Sequence, residues 1–324
     1  MKYLITGGAG FIGSKLALSL LTQGHEVIVL DNLSTGTGRN LVPCERLKGF
    51  EFIKADLRHM VLNNLIGSVD VVFHLAATVG VALCAGDPIG TLDNNIEPTA
   101  RLLRIASERR TAVFLASTSE VYGKGRQAAF RESDDCVYGN TKIGRWAYAY
   151  SKAVDEFAAL AHHKRDGLHV VIGRFFNVTG DGQRAESGMV VPSMIERAVC
   201  DEPIVIHGDG SQVRCFADVH DVVAIMQALM LAPRANGRVV NIGNDEAFRI
   251  DEVAHGIRMR VSEATQRDPV PFRYLPYGSA FGADFEDIPY RVPDLALLKS
   301  LIESVPTRPL ADTIDSMIYE RITG

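Results

Sequence analysis

A strand, a glycine-rich turn, a helix and a second strand follow one another at the start of the chain, and they constrain its fold more than any other feature. The segment LITGGAGFIGSKLALSLLTQGHEVIVLD, residues 4 to 31, places Gly7, Gly10 and Gly13 between the first strand and the helix. Glycines at these points allow a tight turn and let backbone N–H groups approach a pyrophosphate at the helix N-terminus. Asp31 ends the second strand. This order of parts predicts a dinucleotide-binding βαβ unit.

Asp31 also indicates which dinucleotide is bound. A carboxylate at the end of the second strand accepts hydrogen bonds from the adenosine ribose hydroxyls, and it repels a 2′-phosphate. The sequence therefore predicts NAD, rather than NADP, as the cofactor.

Composition and charge exclude several classes of protein. The chain has 324 residues, of which 47% are apolar and 23% charged, and this is typical of one large α/β unit or two smaller domains. Its net charge of -5 argues against nucleic acid as a partner, because phosphate backbones are bound by clustered Lys and Arg. The chain shows no secretory signal and no apolar run of membrane-spanning length, so we expect a cytoplasmic protein that does not bind membranes.

The cysteines point to the same compartment. Cys44, Cys84, Cys136, Cys200 and Cys215 are odd in number and widely spaced, and they include no Cys-x-x-Cys pair. Neither a disulfide framework nor a metal site is expected, and a reducing cytosol fits best.

Short apolar strands alternate with helical segments through the first half of the chain. Strands buried on both faces and separated by helices predict an α/β fold with a doubly wound parallel sheet of the Rossmann type, and a smaller mixed α/β substrate domain follows it. We predict a NAD-binding domain over 1–178 and 214–244, and a nucleotide-sugar-binding domain over 179–213 and 245–324. The predicted sheet strands are 2–6, 26–30, 50–55, 70–76, 111–117 and 169–175, with 238–243 returning to the sheet.

The Gly-x-x-Gly-x-x-Gly spacing resembles the extended short-chain dehydrogenases/reductases, in particular the NAD-dependent epimerase/dehydratase group that acts on nucleotide sugars. Four further segments match that family in order: DNLSTG (31–36), Asp56-Leu57, HLAA (74–77) and STSEVYG (117–123). On this match the cofactor-binding residues are Gly7, Gly10, Phe11, Ile12, Gly13, Asp31, Asn32, Ser34, Asp56, Leu57, Leu75, Ala76 and Ala77, together with Tyr148 and Lys152. The family implies a UDP-sugar substrate, and we expect a homodimer.

The segment YAYSK (148–152) contains two tyrosines and a lysine. Residues four apart share a helix face, so Lys152 meets Tyr148, whereas Tyr150 faces away and is expected to pack or lie on the surface. The Tyr-x-x-x-Lys pair of the family also falls on Tyr148 and Lys152. A phenol titrates near pH ~10, so it needs a neighbouring positive charge to act as a base near neutrality. Thr118 is expected to hydrogen-bond the substrate sugar hydroxyl from which Tyr148 would remove the proton.

Segments in the second half resemble those that hold a nucleoside diphosphate in this family. RFFNVTG (174–180) and HGDGSQVRCFADVHDV (207–222) carry Asn177 and Arg214, the expected phosphate contacts. A guanidinium fork suits that role because it pairs with phosphate oxygens in two places.

The reaction is expected to begin with oxidation at sugar carbon 4. At position 120 the chain has Glu, as dehydratases and decarboxylases of this family do, whereas simple epimerases usually have a small or apolar residue there. At position 119 it has Ser, where many dehydratases have Asp. Arg145-Trp146, Cys215 and FGADFEDIPYRVPD (281–294) resemble the UDP-glucuronate decarboxylase and UDP-apiose/xylose synthase branch. Arg291 in the last segment matches an arginine near the substrate carboxyl, although an arginine before Pro-Asp also serves the diphosphate in epimerases.

These features predict UDP-glucuronate decarboxylation, with Tyr148 as the acid/base, and with Glu120 and Ser119 delivering protons. The alternatives are a UDP-hexose or UDP-hexuronate 4-epimerase and then a 4,6-dehydratase. A catalytically silent NAD-binding sensor is a further alternative, but such relatives commonly lose the tyrosine or the lysine, and this chain keeps both.

Overall fold

The computed structural model describes residues 1–125, 127–185, 188–281, 286–303, 305 and 307–323. Four residues of the decarboxylase-like segment, 282–285, therefore lie outside the described residues.

Fourteen strands are assigned within the described residues, and most of the long apolar ones lie in the first 180 residues. Their bounds are β1 Lys2–Thr6, β2 Glu26–Asp31, β3 Phe50–Lys54, β4 Val71–His74, β5 Ala112–Thr118, β6 Val170–Phe175, β7 Val178–Thr179, β8 Ile204–His207, β9 Val213–Arg214, β10 Ala217–Asp218, β11 Arg238–Ile242, β12 Phe248–Arg249, β13 Phe272–Leu275 and β14 Tyr290–Arg291.

The helices fill the intervals between strands. Their bounds are α1 Phe11–Thr22, α2 Val42–Glu45, α3 Asn63–Ile66, α4 Val81–Gly86, α5 Pro88–Arg109, α6 Trp146–Asp166, α7 Val190–Val199, α8 Val219–Leu231, α9 Ile250–Thr265, α10 Tyr277–Phe281, α11 Ala296–Leu301 and α12 Leu310–Thr323.

The central sheet is parallel throughout and has seven strands in the order β11-β6-β5-β4-β1-β2-β3. The chain builds outward from β1 through β2 to β3, then returns to place β4 on the other side of β1. The order therefore reverses between β1 and β4, and ligands of open α/β sheets bind at the carboxyl edge beside such a switch point.

Successive side chains of a strand point to opposite faces of the sheet, so these almost wholly apolar strands give the sheet two apolar faces. Ile5 and Val29 pack on one face with α1, α8 and α11, through residues such as Leu16, Val222 and Leu298. Leu4, Ile28 and Val72 pack on the other face with α3, α5 and α6. Because both faces are covered, the sheet is a fully buried layer.

A second core lies beyond the sheet. Helices α7, α9 and α12 enclose it with β8, and its side chains include Ile195, Ile206, Ile257 and Ile314. Two short sheets adjoin this region, β13 with β8 and the three-stranded β12-β9-β14. The exact division of the chain into two domains stays a prediction.

The expectation of a doubly wound parallel sheet is confirmed, and all seven predicted strands fall within one or a few residues of the observed ones. Local apolar runs were sufficient for this, since each buried strand is almost wholly apolar. In the described part of the chain, no helix is long and apolar enough to cross a membrane.

Candidate active site

The glycine turn between β1 and α1 has room for no side chain at two of its positions. Gly7 adopts φ +71°, and a Cβ there would lie 2.7 Å from the backbone N of Ala76. A Cβ on Gly13 would lie 2.5 Å from the carbonyl oxygen of Gly7. Because the glycines carry no side chains, an anion can approach the backbone N–H groups at the α1 N-terminus, at Phe11 and Ile12.

Asp31 is buried at the end of β2, and the backbone fixes its carboxylate. Oδ2 accepts from the N–H of Ala9 at 3.0 Å, and Oδ1 accepts from the N–H of Leu33 at 2.7 Å. Each carboxylate oxygen keeps a further lone pair. The turn and the acid are therefore held in one arrangement, and ribose hydroxyls can still donate to the acid.

A second acid follows β3. Arg58 pairs with Asp56 in two places, Nε to Oδ1 at 3.0 Å and Nη2 to Oδ2 at 2.7 Å, and this hydrogen bonding lowers the pKa of Asp56. Asn32 donates to Asp56 at 3.2 Å and accepts from the N–H of Ser34 at 2.9 Å. The expected cofactor residues that follow β2 and β3 are thus joined by hydrogen bonds, and Leu57 is buried beside them.

The segment after β4 completes the pocket. Because β4 pairs with β1 in register, Leu75, Ala76 and Ala77 emerge beside the glycine turn. The close approach of Ala76 to Gly7 places these segments at the switch point. The expected NAD-binding residues therefore come together at one edge, and they fit the cofactor: glycines for the pyrophosphate and a carboxylate for the ribose.

The strand β5 ends at Thr118 and leads into a 3-10 turn over Ser119–Tyr122. Thr118 caps this turn, since its hydroxyl accepts from the N–H of Glu120 at 3.2 Å. Ser119 and Glu120 are both buried. The turn lies at the same carboxyl edge as the dinucleotide pocket, one strand away.

Tyr148 lies in the first turn of α6, facing the end of β5. Burial raises the pKa of its phenol, the charges of Cys84 and Glu120 add to the rise, and a hydrogen bond with Thr118 opposes it. The phenol is therefore protonated at neutral pH in this structure. The expected pair of Tyr148 and Thr118 is brought together.

Lys152 lies one turn further along α6 and is buried. Its ammonium donates to Oδ2 of Asp155 at 2.9 Å, and both side chains are at most 3% exposed. Sequence analysis identified Lys152 but not its partner. The signal was present, because residues three apart also share a helix face.

Tyr150 faces elsewhere, as the helical spacing predicts. Its ring packs against Tyr138, with centroids 4.3 Å apart. Tyr150 is thus a packing residue.

Glu120 sits between two arginines. Arg145 Nη2 donates to Oε2 at 2.8 Å, and Arg291 donates to Oε1. Burial favours a raised pKa for Glu120, but Arg291 and Arg145 oppose it and lower the pKa to about 2. Glu120 is thus ionised, and two cations share one carboxylate. Arg145 also stacks on Trp146, at 4.9 Å from the ring centroid.

Asn177 and Arg214, the expected diphosphate residues, each hydrogen-bond another side chain. Arg291 Nη2 donates to Oδ1 of Asn177 at 3.0 Å. Arg214 donates to both oxygens of Asp287, at 3.0 and 3.2 Å, and Tyr277 donates to the same carboxylate at 2.6 Å. Tyr277 was not predicted from the sequence, and Asp287 lies in the decarboxylase-like segment 281–294 but was given no role there, because both are far in sequence from Arg214.

A profile of the NAD dependent epimerase/dehydratase family matches residues 3–243. The chain belongs to the NAD-dependent epimerase/dehydratase family. It is therefore an NAD-dependent enzyme with the extended short-chain dehydrogenase/reductase fold, as the sequence motifs predict.

Two curated relatives are similar over most of their length. The UDP-N-acetyl-alpha-D-glucosaminuronate decarboxylase of Bacillus cytotoxicus is 38% identical over 311 residues, covering 94% of this chain and 92% of the relative. UDP-glucuronic acid decarboxylase 1 of Danio rerio is 33% identical, covering 98% of this chain and 72% of the relative.

A solved structure shows the same fold. The UDP-glucuronic acid 4-epimerase of Bacillus cereus, in complex with UDP-glucuronic acid and NAD, superposes with a TM-score of 0.87 at 27% identity. The match covers 99% of this chain and 98% of that one.

Proposed function

We propose that the protein decarboxylates a UDP-hexuronate, with UDP-glucuronate as the leading substrate. The carrying observation is that buried Arg145 and partly buried Arg291 both bind the carboxylate of Glu120 beside Tyr148. Arg214 adds a third cation and Asp287 a second carboxylate. Three cations balanced by two anions leave a net positive charge in a site that a uronate carboxylate fits. The similarity to two uronate decarboxylases supports the same reading.

Arg291 has a further property that suits a carboxylate ligand. Its Nε is buried and has no hydrogen-bond partner among the described residues. A buried donor left unpaired is costly, and a ligand oxygen would satisfy it. Arg291 is thus the residue best placed to orient the substrate carboxylate.

The first step is removal of the carbon-4 hydroxyl proton by Tyr148 in its ionised form, with Thr118 holding the same hydroxyl. NAD held by the glycine turn and Asp31 would supply the hydride acceptor for oxidation at carbon 4 and the hydride donor for the later reduction. Lys152, one turn from Tyr148, supplies positive charge on the face of α6 that carries the phenol.

Oxidation turns the substrate into a β-keto acid. The bond between carbon 5 and the carboxyl breaks, carbon dioxide leaves, and the electron pair is delocalised into the carbon-4 ketone. Arg291 should orient the carboxylate rather than hold it tightly, because strong binding of the anion opposes its departure as a neutral molecule. A proton must then be delivered to carbon 5.

Glu120 and Ser119 are the residues proposed for that proton delivery. Glu120 is ionised while both arginines bind it. If the substrate carboxylate draws Arg291 away, Glu120 loses one of its cations, and its pKa rises because burial is then less opposed. Proton delivery by Glu120 thus depends on the substrate occupying Arg291, and Ser119 lies adjacent in the same turn.

The test is incubation of the purified protein with UDP-glucuronate and, separately, with UDP-glucose, followed by NMR and mass spectrometry. We expect loss of carbon dioxide from the uronate only. Interconversion of gluco and galacto forms without mass loss would support 4-epimerisation instead, and loss of water would support 4,6-dehydration.

A second substrate has specific support. The Bacillus cytotoxicus relative, at 38% identity, is a decarboxylase of a 2-acetamido uronate. UDP-N-acetylglucosaminuronate therefore belongs in the same assay. A higher kcat/KM for this compound would assign the enzyme to the acetamido sugar, and the decarboxylation chemistry would be unchanged.

The cytoplasmic location and the homodimer expected from the sequence are retained as proposals. All five cysteines are free, which suits a reducing compartment. Sedimentation equilibrium of the purified protein tests the dimer.

A further inference from the structure

A continuous set of buried polar side chains runs from the glycine turn to the lysine of the proposed active site. Thr6, the last residue of β1, has its hydroxyl 2.7 Å from Nδ1 of His74. Nε2 of His74 is 2.9 Å from the hydroxyl of Thr99 on α5. The hydroxyl of Thr99 lies within hydrogen-bonding distance of both Asp155 and the carbonyl oxygen of Asn95, and Asp155 binds Lys152 at 2.9 Å. All five residues are at most 2% exposed.

The imidazole of His74 is neutral, and it makes one donor and one acceptor contact in this set of side chains. Burial, and then the charge of Lys152, lower the pKa of His74 to about 3, so the imidazole is neutral. A neutral imidazole donates from one nitrogen and accepts at the other. Its two hydroxyl partners, Thr6 and Thr99, therefore play different roles, and His74 supplies no charge to compete with Lys152 for Asp155.

Burial raises the pKa of the Asp155 carboxyl, and the Lys152 ammonium opposes that rise. The pair is held inside the protein at 2.9 Å, where water screens it little. Asp155 also raises the pKa of Tyr148. The negative charge of Asp155 thus offsets part of the effect that Lys152 is proposed to have on the pKa of Tyr148.

We propose that Asp155 is a positioning residue: it holds the Lys152 ammonium at the inner end of the buried chain and thereby limits the positive charge that Tyr148 experiences. The inference rests on the proposed role of Tyr148 as acid/base. It adds that the charge state of the phenol depends on where Lys152 lies between Asp155 and the cofactor site.

Other charged groups face the same residues and must be distinguished from Asp155. Cys84 on α4 and Glu120 in the turn after β5 face Tyr148. Glu156 on α6 faces Asp155, but it pairs with Arg174 on β6, at 2.7 Å.

The test is the variant Asp155→Asn with NAD bound and no sugar present. Asparagine keeps an oxygen that accepts from Lys152 but removes the charge. Tyrosinate absorbance after a rapid pH jump, with Tyr148→Phe subtracted, reports Tyr148 alone. We expect its titration to move about one unit to lower pH, a tenfold change in the acid dissociation constant. An unchanged titration would overturn the proposal.

A second background shows whether Asp155 acts through Lys152. In Lys152→Met the ammonium is absent, so adding Asp155→Asn can act on Tyr148 only directly and should shift its titration less than in the wild-type background. An equal shift in both backgrounds would show a direct effect and overturn the positioning role. Asp155→Glu should restore the wild-type titration. If the Asn variant does not fold, Asp155→Ser removes the same charge and carries the same expectation.

The matched control is Asp166→Asn at the other end of α6, an exposed charge that pairs with Arg165. It lies about 16 Å along the helix from Asp155, beyond the Debye length at physiological salt, so no shift is expected. The measurement needs no sugar. Absence of decarboxylation would therefore count against the proposed function and leave the titration result interpretable.

Discussion

Arg291 and Asn177 are 114 residues apart in the chain and are joined by a hydrogen bond of 3.0 Å. The bond links β14 to the segment that follows β6 at the carboxyl edge of the sheet. Through Glu120, the same arginine reaches the turn that follows β5. Arg291 therefore connects the residues proposed for the diphosphate with those proposed for the sugar.

Arg291→Ala should weaken turnover of UDP-glucuronate much more than the binding of UDP. The variant removes the proposed carboxylate contact and leaves Arg214, the residue proposed to bind the diphosphate, in place. We expect kcat/KM to fall by a factor of about 10 to 100, because a hydrogen bond to a charged group contributes about 1.5–3 kcal/mol. Steady-state kinetics and UDP titration measure the two effects. Arg131→Ala is the control, since Arg131 is exposed and pairs with Asp294; a similar loss in that variant would contradict the assignment.

Replacement of each of the two tyrosines of α6 should affect turnover very differently. Tyr148→Phe removes the phenolic oxygen and should abolish nearly all turnover while NAD stays bound. Tyr150→Phe should keep most activity, because Tyr150 packs against Tyr138 through its ring. Rates and NAD content of both purified variants check this. An inactive Tyr150→Phe beside an active Tyr148→Phe would reverse the assignment.

The pH dependence follows from the same phenol. Burial raises the pKa of Tyr148, so its basic form is scarce near neutrality. The proposed mechanism requires that form, so kcat/KM should rise with pH, about tenfold per unit, until the phenol of the NAD-bound enzyme is ionised. Glu120, with a pKa of about 2, should add no titration step between neutral and weakly acidic pH. A rate that falls as pH rises from neutrality would contradict a phenolate base.

Cofactor choice should follow Asp31. NAD should bind at least tenfold more tightly than NADP, because a 2′-phosphate would face a buried carboxylate that backbone N–H groups hold in place. Asp31→Ser should narrow the difference by removing the repulsion. Fluorescence titration with NADH and NADPH provides the measurement, and comparable affinity for both in the wild-type protein would refute the argument.

Much of the fold could be predicted from the sequence because its signals are local. Strand β1, the glycines and α1 are consecutive, and Tyr148 and Lys152 are related by one turn of a single helix. The arginine pair around Glu120 could not be predicted in the same way. Arg145 is 25 residues from Glu120, and Arg291 is 171 residues away, so only the folded chain brings their charges together.

Asp155, the partner of Lys152, shows a different limit of prediction from the sequence. Asp155 shares a helix face with Lys152, so the pair was within reach of sequence reasoning. Its burial was not, because it depends on α5 packing over α6 and on His74 and Thr99 lying behind the pair. An exposed pair of this spacing would carry little energy, whereas a buried one affects every charge nearby.

The last prediction concerns stability. Arg174 on β6 pairs with Glu156 on α6 in two places, Nε at 3.0 Å and Nη2 at 2.7 Å, and it stacks on Tyr122. Arg174→Met leaves Glu156 buried without a cation, so unfolding free energy should fall by about 3–5 kcal/mol. The double variant Arg174→Met/Glu156→Leu should recover much of that loss, because an apolar pair replaces the unpaired charge.

Urea denaturation followed by far-UV circular dichroism measures these changes. Arg260→Met is the control: its pair with Asp315 is at least 36% exposed on both sides, and an exposed pair contributes no more than about 1 kcal/mol. If Arg174→Met cost no more than Arg260→Met, the pair would contribute little to stability. If the double variant were as unstable as the single one, the cost would come from lost packing around Tyr122 and not from the stranded carboxylate.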